Sequence, residues 1–167
     1  GGYRDGVTIN VDGEDVPQTD YVTYSYRDYA SRFLEQAAAQ PKPFMLMLAP
    51  SAPHLPAIPA PGDETLYPDI APHRPPSFNE SDVSDKPQVM QSKPLMTAQD
   101  IQTQDDIRRN QLQSLNAVDI AVDDLLTLLE DQGQLDNTMV IYTSDNGYLW
   151  CEHRLTAKSA PYEESIC

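Results

Sequence analysis

Thr138-Met139-Val140-Ile141-Tyr142-Thr143 breaks into Ser144-Asp145-Asn146-Gly147, and Glu152-His153-Arg154 and Lys158 follow a few residues later. The apolar run is short enough for a strand and apolar on both faces, as expected of a strand covered on both sides. Where it stops, the chain presents a carboxylate, an amide, an imidazole and an ammonium group. Those groups can hold a hard cation and an anionic ester beside it, and a strand gives them a rigid base.

The elements upstream fit the same architecture. From Ser25 to about Ala39 the residues Tyr26, Tyr29, Ala30, Phe33, Leu34 and Ala37 fall on one helical face, with Arg27, Asp28, Arg32 and Glu35 on the other. Pro41 and Pro43 stop this helix, and Phe44-Met45-Leu46-Met47-Leu48-Ala49 follows as a second run suited to a central parallel strand. Thr103 with Asp106 reads as a capping box. It opens a long helix whose face is Leu112, Leu115, Val118, Val122, Leu125, Leu126 and Leu129, ending at Gly133. Helix, strand, long loop, helix and strand in that order predict part of an α/β domain with a mostly parallel sheet flanked by helices.

The chain divides into four stretches on this reading. Residues 1–24 are irregular, with a weak hairpin at Asp12-Gly13. Residues 25–49 hold the first helix and strand, and 50–103 form a proline-rich loop. Residues 104–167 carry the long helix, the second strand and the polar loop. Eleven of the fifteen prolines lie between Pro50 and Pro94, a density that no regular element survives. Loops of this length in compact domains tend to be binding loops or disorder. Leu55, Ile58, Leu66, Tyr67 and Phe78 favour a loop held against the domain. Asn79-Glu80-Ser81 matches a glycosylation sequon, a signal of low specificity.

Composition narrows the partners. The 167 residues make about one domain or part of one, and a net charge of −15 from 26 acidic and 11 basic residues disfavours nucleic acid and anionic membrane surfaces. No apolar run approaches the roughly 20 residues that cross a bilayer, and Gly1-Gly2-Tyr3-Arg4-Asp5 has no signal-peptide layout. Two cysteines, Cys151 and Cys167, form neither a disulfide framework nor a zinc pattern.

In open α/β sheets, ligands gather beyond the carboxyl ends of the strands. His54 follows the first predicted strand, and Asp145 and Asn146 follow the second, so two segments deliver polar groups to one edge. Each also has a plain reading. Asp145-Asn146-Gly147 is a common turn sequence. His54, between Pro53 and Pro56, suits a positioned acid, base or donor and equally a packed surface imidazole. Lys158, His153, Arg154 and His73 are by default solvated side chains.

The series Ala49-Pro50-Ser51-Ala52-Pro53-His54, Arg74-Pro75-Pro76-Ser77-Phe78-Asn79-Glu80, Leu135-Asp136-Asn137-Thr138, Ser144-Asp145-Asn146-Gly147-Tyr148, Glu152-His153-Arg154 and Lys158 to Ser165 resembles the sulfatases, in the same order and along nearly the whole chain. The resemblance implies an alkaline-phosphatase-like α/β domain that hydrolyses sulfate esters of a sugar, polysaccharide or aryl group. It implies a bound calcium or magnesium and a formylglycine nucleophile made from Cys or Ser. Carried over by position, Asp145 and Asn146 resemble metal ligands, while His54 and Lys158 resemble the catalytic pair on the substrate sulfate. His153 resembles a substrate-side histidine.

The departures from the family pattern carry their own expectations. Neither Cys-x-Pro-x-Arg nor Ser-x-Pro-x-Arg occurs in the chain. In the family this motif and the remaining metal aspartates lie further upstream, so the chain reads as an internal fragment that is inactive alone and lacks N- and C-terminal parts of its domain. Cys151 and Ser159 stand where relatives usually have Gly and an apolar or aromatic residue. The family suggests a secreted, periplasmic or lysosomal location. A phosphoester or phosphonate hydrolase of the same superfamily, and a non-catalytic remnant that binds anions or partners, are the alternative readings.

Overall fold

The computed structural model describes residues 3, 6–158 and 160–166. The chain divides into two compact units, one comprising Gly1–Pro68 with Asn110–Val140 and the other Asp69–Arg109 with Ile141–Cys167.

In the first unit, strands β1 (Val7–Val11) and β2 (Glu14–Gln18) pair antiparallel, Val11 facing Glu14. Asp12 and Gly13 between them take positive φ values of 52° and 96°, the geometry that brings Asp-Gly to tight hairpins. Helix α1 (Val22–Ala38) begins three residues before the expected Ser25. Helix α3 (Ala98–Asp131) supplies its later turns to this unit. Two apolar clusters hold the unit together. Tyr3, Tyr21, Ala52, Ala60, Ala117 and Val118 form one, and Ala30, Leu34, Leu125 and Leu129 form the other, with Phe44 and Leu48 packed on the second.

The buried stripe of α3 includes Ser114, Ala117 and Ala121 as well as Val118, Leu125 and Leu129. Gln111 and Gln113 are buried too, and the Gln113 amide donates to the carbonyls of Glu64 and Leu66. These contacts fasten part of the proline-rich loop to the helix. Small and amide residues do not stand out in a hydrophobic pattern, so the expected leucine face captured only part of the stripe.

Helix α3 starts at Ala98, one turn and more before the expected capping box at Thr103. The box that forms is Thr97 with Asp100. The Asp100 N–H donates to Thr97 Oγ1 at 3.2 Å, and the Thr97 N–H donates to the Asp100 carboxylate at 2.9 Å. Thr103 lies inside the helix and donates its hydroxyl to the Gln99 carbonyl at 2.9 Å. At the other end Gly133, with φ 64°, closes the helix through bonds from its N–H to Glu130 and from the Gln134 N–H to Leu129.

The two apolar runs expected to form central strands are neither strands nor paired into a sheet among the described residues. Phe44 and Leu48 pack against the helices while Met45 and Met47 are 84 % and 80 % exposed, and Leu46 between them is exposed as well. Met139, Val140, Ile141 and Tyr142 are all exposed. The expected mostly parallel sheet is therefore not formed among the described residues. A ladder requires a second extended backbone about 4.8 Å away, and pattern alone does not supply it.

The second unit is built from loops and short elements. Helix α2 (Gln88–Gln91), the first turns of α3, strands β3 (Leu149–Trp150) and β4 (Thr156–Ala157), and helix α4 (Glu163–Ile166) make up its regular structure. Strands β3 and β4 pair antiparallel, and Phe78 forms an isolated bridge with Glu152. Arg74 grips Asp105 of α3 with two bonds of 2.8 and 2.6 Å, which anchors the Arg74-Pro75-Pro76 segment. No described helix is long and apolar enough to cross a membrane.

Candidate functional site

His54 sits in the first unit on a tight turn. Its N–H donates to the Ser51 carbonyl at 2.8 Å, and its own carbonyl accepts from Ala57 at 2.9 Å. The ring is exposed, and Nδ1 lies 2.8 Å from the Leu55 carbonyl. A carbonyl can only accept, so Nδ1 carries the proton and Nε2 is the nitrogen left to meet a ligand. The Tyr3 hydroxyl donates beneath this turn to Ser51 and His54 carbonyls, which fixes its backbone.

The second unit holds the other candidates. The Lys158 ammonium, immediately after β4, donates to the Asn146 side-chain oxygen at 3.2 Å. Asn146 is held by its own turn, since the Ser144 hydroxyl donates to its carbonyl at 2.7 Å and its amide nitrogen donates to Gly147 at 2.8 Å. The Gly147 N–H in turn donates to the Ser165 carbonyl of α4 at 3.1 Å. Asp145 is exposed beside this pair. Lys158 and Asn146, twelve residues apart in the chain, are thus brought together.

His153 is placed differently from a ligand facing open solvent. Its Nδ1 donates to Glu80, its Nε2 faces Glu164 at 3.6 Å, and Tyr162 stacks on the ring at 4.1 Å. Arg154, read from sequence as solvated, donates to the carbonyls of Glu80, Lys93 and Ser81. His73, also read as solvated, pairs through Nε2 with the fully buried Glu152 at 2.7 Å. Glu152 accepts the Trp150 N–H with its other oxygen at 2.5 Å. Glu80, Glu152 and Glu164 stand inside motifs legible in the sequence, but no pattern rule marks a glutamate as the partner of a distant histidine.

Both ends of the Asn79 amide are taken by the Met96 backbone, at 2.9 and 3.3 Å, so the sequon asparagine serves the fold. Cys151 is fully buried at a φ of 83°, a conformation that favours glycine. Burial, and then the nearby Glu152 charge, push its thiol up to about 11, so it is no nucleophile at neutral pH. Ser159 and Cys167 lie outside the described residues.

Among the described residues no group of three or more His, Cys, Asp or Glu side chains is arranged to hold a metal. The carboxylate of Asp145 and the amide oxygen of Asn146 are the hard donors that calcium or magnesium takes, and they fit as part of a set of roughly six to eight oxygens. The contact of the Lys158 ammonium with the Asn146 oxygen shows that this oxygen faces a cation.

A family model described as Sulfatase matches residues 3–166. The chain belongs to the sulfatase family. The match runs through both units and covers His54, Asp145, Asn146, His153 and Lys158. This sulfatase-family chain is 33% identical over 171 residues to an arylsulfatase of Volvox carteri, covering 87% of the chain and 26% of the relative. It is 34% identical to an arylsulfatase of Chlamydomonas reinhardtii, with 98% of the chain and 28% of the relative covered. It is 35% identical to an N-acetylglucosamine-6-sulfatase of Homo sapiens, over 76% of the chain and 22% of the relative. The sulfatase chain therefore spans about a quarter of the length of these relatives. No solved structure gives a significant match.

Proposed function

We propose that this chain is part of an enzyme that hydrolyses sulfuric esters, contributing His54 and Lys158 as the pair on the substrate sulfate and Asp145 and Asn146 as metal ligands. The observation that carries the reading is the Lys158–Asn146 contact beside Asp145. An anion-binding ammonium and a cation-binding oxygen occupy one spot, as a metal-bound sulfate demands. Arylsulfatase and N-acetylglucosamine-6-sulfatase relatives support an aryl or sugar sulfate as substrate.

Each residue has a task in this reaction. Lys158 neutralises charge that builds on the sulfate oxygens, and a preorganised cation acts there without reorganising during the step. His54 keeps its proton on Nδ1 against the Leu55 carbonyl, so Nε2 is free to carry a second proton to the departing alkoxide oxygen. Asp145 and Asn146 would hold calcium or magnesium, which when bound withdraws charge from the sulfate oxygens. The nucleophile belongs to a Cys-x-Pro-x-Arg or Ser-x-Pro-x-Arg motif, converted to formylglycine, that this chain does not contain. His153 supports the site through its neighbours. The runs 44–49 and 138–143 would join an alkaline-phosphatase-like parallel sheet, for which their unpaired backbones and exposed apolar side chains are suited.

The test is to express the protein from its complete reading frame and compare cleavage of an aryl sulfate with that of the matching aryl phosphate. Sulfate preferred over phosphate, with loss of rate in Lys158→Ala and His54→Ala, supports the proposal. Preference for phosphate, or a rate indifferent to both substitutions, overturns it.

A further inference from the structure

In the second unit the early turns of α3 and the loop segment 70–72 line an open cavity of about 160 Å³. Its helical wall is Gln102, Asp105, Arg108 and Arg109, positions three and four residues apart that share one face. Whole small-molecule pockets take roughly 300–1,000 Å³, whereas a cavity of about 150 Å³ accepts a molecule the size of benzene. This one therefore suits a single substituent or ring of a larger ligand.

The charge of the cavity follows from which of its groups already have partners. Asp105 is gripped by Arg74 at 2.8 and 2.6 Å, and the neighbouring Asp106 accepts from Arg109 at 2.9 Å and from Gln102 at 3.1 Å. Arg108 stands outside these pairs. It donates to the Ala71 carbonyl at 3.2 Å and lies over the Trp150 ring at 5.9 Å, and among the described residues no carboxylate pairs with it. Glu152, buried nearby, is engaged with His73 and the Trp150 N–H. Three guanidinium groups thus meet two carboxylates, and the uncompensated positive charge is that of Arg108. A guanidinium stays charged at every working pH and carries five N–H donors, so those not used on Ala71 can fork onto a carboxylate or a sulfate. In a chain of net charge −15 such a spot is a local reversal of sign.

Trp150 ties the cavity to the candidate site. It is the ladder partner of Thr156 in the β3–β4 hairpin, and Lys158 comes two residues after Thr156. Asn146 lies four residues before Trp150, a stretch of chain that reaches at most about 14 Å. Tyr148 and His73 pack on the Trp150 ring at 5.3 and 5.7 Å and hold it under Arg108. We propose that the Arg108 cavity is a binding subsite for a second anionic group, a carboxylate or a sulfate, carried by the sugar next to the one whose sulfate meets Lys158. The substrate class is then an acidic oligosaccharide or polysaccharide, selected over a simple aryl sulfate. The place of this subsite in turnover rests on the sulfatase reading, but the binding of an acidic sugar at Arg108 does not.

The experiment uses the protein expressed from its complete reading frame and a set of related disaccharides. One carries the scissile sulfate and a uronate as the neighbouring sugar, the second has that carboxyl reduced to the alcohol, and the third bears a sulfate in its place. The uronate form is expected to exceed the reduced form in kcat/KM on the order of tenfold, mostly through KM, the scale of one hydrogen bond to a charged group. Arg108→Ala should abolish the preference and Arg108→Lys should keep part of it. Whichever of the carboxylate and sulfate forms is favoured over the reduced one tells which acid the cavity takes. Equal values for all three in the wild type, or a preference that survives Arg108→Ala, overturn the subsite.

Binding is measured separately by calorimetry with the uronate disaccharide stripped of its scissile sulfate, which cannot turn over. Its affinity should fall on the order of tenfold on carboxyl reduction and by as much in Arg108→Ala. Should that variant not fold, Arg108→Lys is read in the same way with a smaller fall. Affinity indifferent to carboxyl reduction, or inorganic sulfate bound as tightly as the disaccharide, overturns the proposal. A wild type that binds the uronate disaccharide through Arg108 yet cleaves no sulfate ester supports the subsite and sinks the sulfatase reading alone.

Discussion

Lys158 Nζ donates to Asn146 Oδ1 at 3.2 Å, joining the end of β4 to the turn after the run 138–143. Lys158 is exposed and Asn146 half-buried, so the contact adds little to stability. Replacing Lys158 should accordingly separate activity from folding. In the complete protein Lys158→Ala is expected to lower kcat/KM for an aryl sulfate by about 10²–10³-fold, the scale for losing one preorganised charge-stabilising group. The melting temperature should stay where it was. A large fall in melting temperature with only a slight loss of rate would assign Lys158 to the fold instead.

Calcium offers a test that needs no turnover. If Asp145 and Asn146 hold the ion, calcium at about 100 times its dissociation constant should stabilise the complete protein by about 2.7 kcal/mol. Chelation should reverse the effect, and Asp145→Ala should abolish it. Equal stabilisation of wild type and Asp145→Ala would place the ion elsewhere.

Glu152 is buried with its carboxylate shared between His73 and the Trp150 N–H. Glu152→Ala strips both of an acceptor inside the second unit. Urea unfolding is expected to show a loss of about 2–3 kcal/mol, below the range for a fully enclosed pair because the His73 side chain is 36 % exposed. Glu152→Gln, which keeps an acceptor and the volume, should lose less. Equal losses in the two variants would mean that charge, rather than the acceptor, is what the site requires.

Cys151 gives a pH dependence with a definite sign. Its thiol is raised from 9.0 to about 11, so the folded state holds this proton more tightly than the unfolded state does. The contribution is fully present below pH 9.0 and is lost as pH rises towards about 11. Cys151→Ala should flatten that alkaline decline in unfolding experiments. Peptide mapping after iodoacetamide treatment at neutral pH should find Cys151 unmodified until denaturant is added. Rapid labelling in the native protein would contradict the burial.

The Thr97–Asp100 box closes the start of α3 with a pair of reciprocal bonds. Thr97→Ala should cost about 1 kcal/mol, while Thr103→Ala, inside the helix, should be nearly neutral. Comparing the two by thermal unfolding tells which threonine opens the helix.

Much of this protein was legible in the order of its residues. Asp12-Gly13 suggests a hairpin because both residues tolerate the positive φ of a tight turn, and α1 and α3 follow from a 3.6-residue apolar period. The family resemblance singled out His54, Asp145, Asn146 and Lys158 as candidates by their places in its motifs. Local rules were less able to choose between similar signals, so Thr103 was favoured as the cap where Thr97 forms it.

The tertiary structure decided the partners. Whether 44–49 and 138–143 enter a sheet depends on another backbone lying alongside, and among the described residues they stay unpaired. Glu80 and Glu164 meet His153 from 73 residues before it and from a helix after it, and Glu152 meets His73 from 79 residues away. Hydrophobic period and turn chemistry act over a few residues. Charge pairing and burial act through space, so the neighbours of His73 and His153 were set only once the chain had closed on itself.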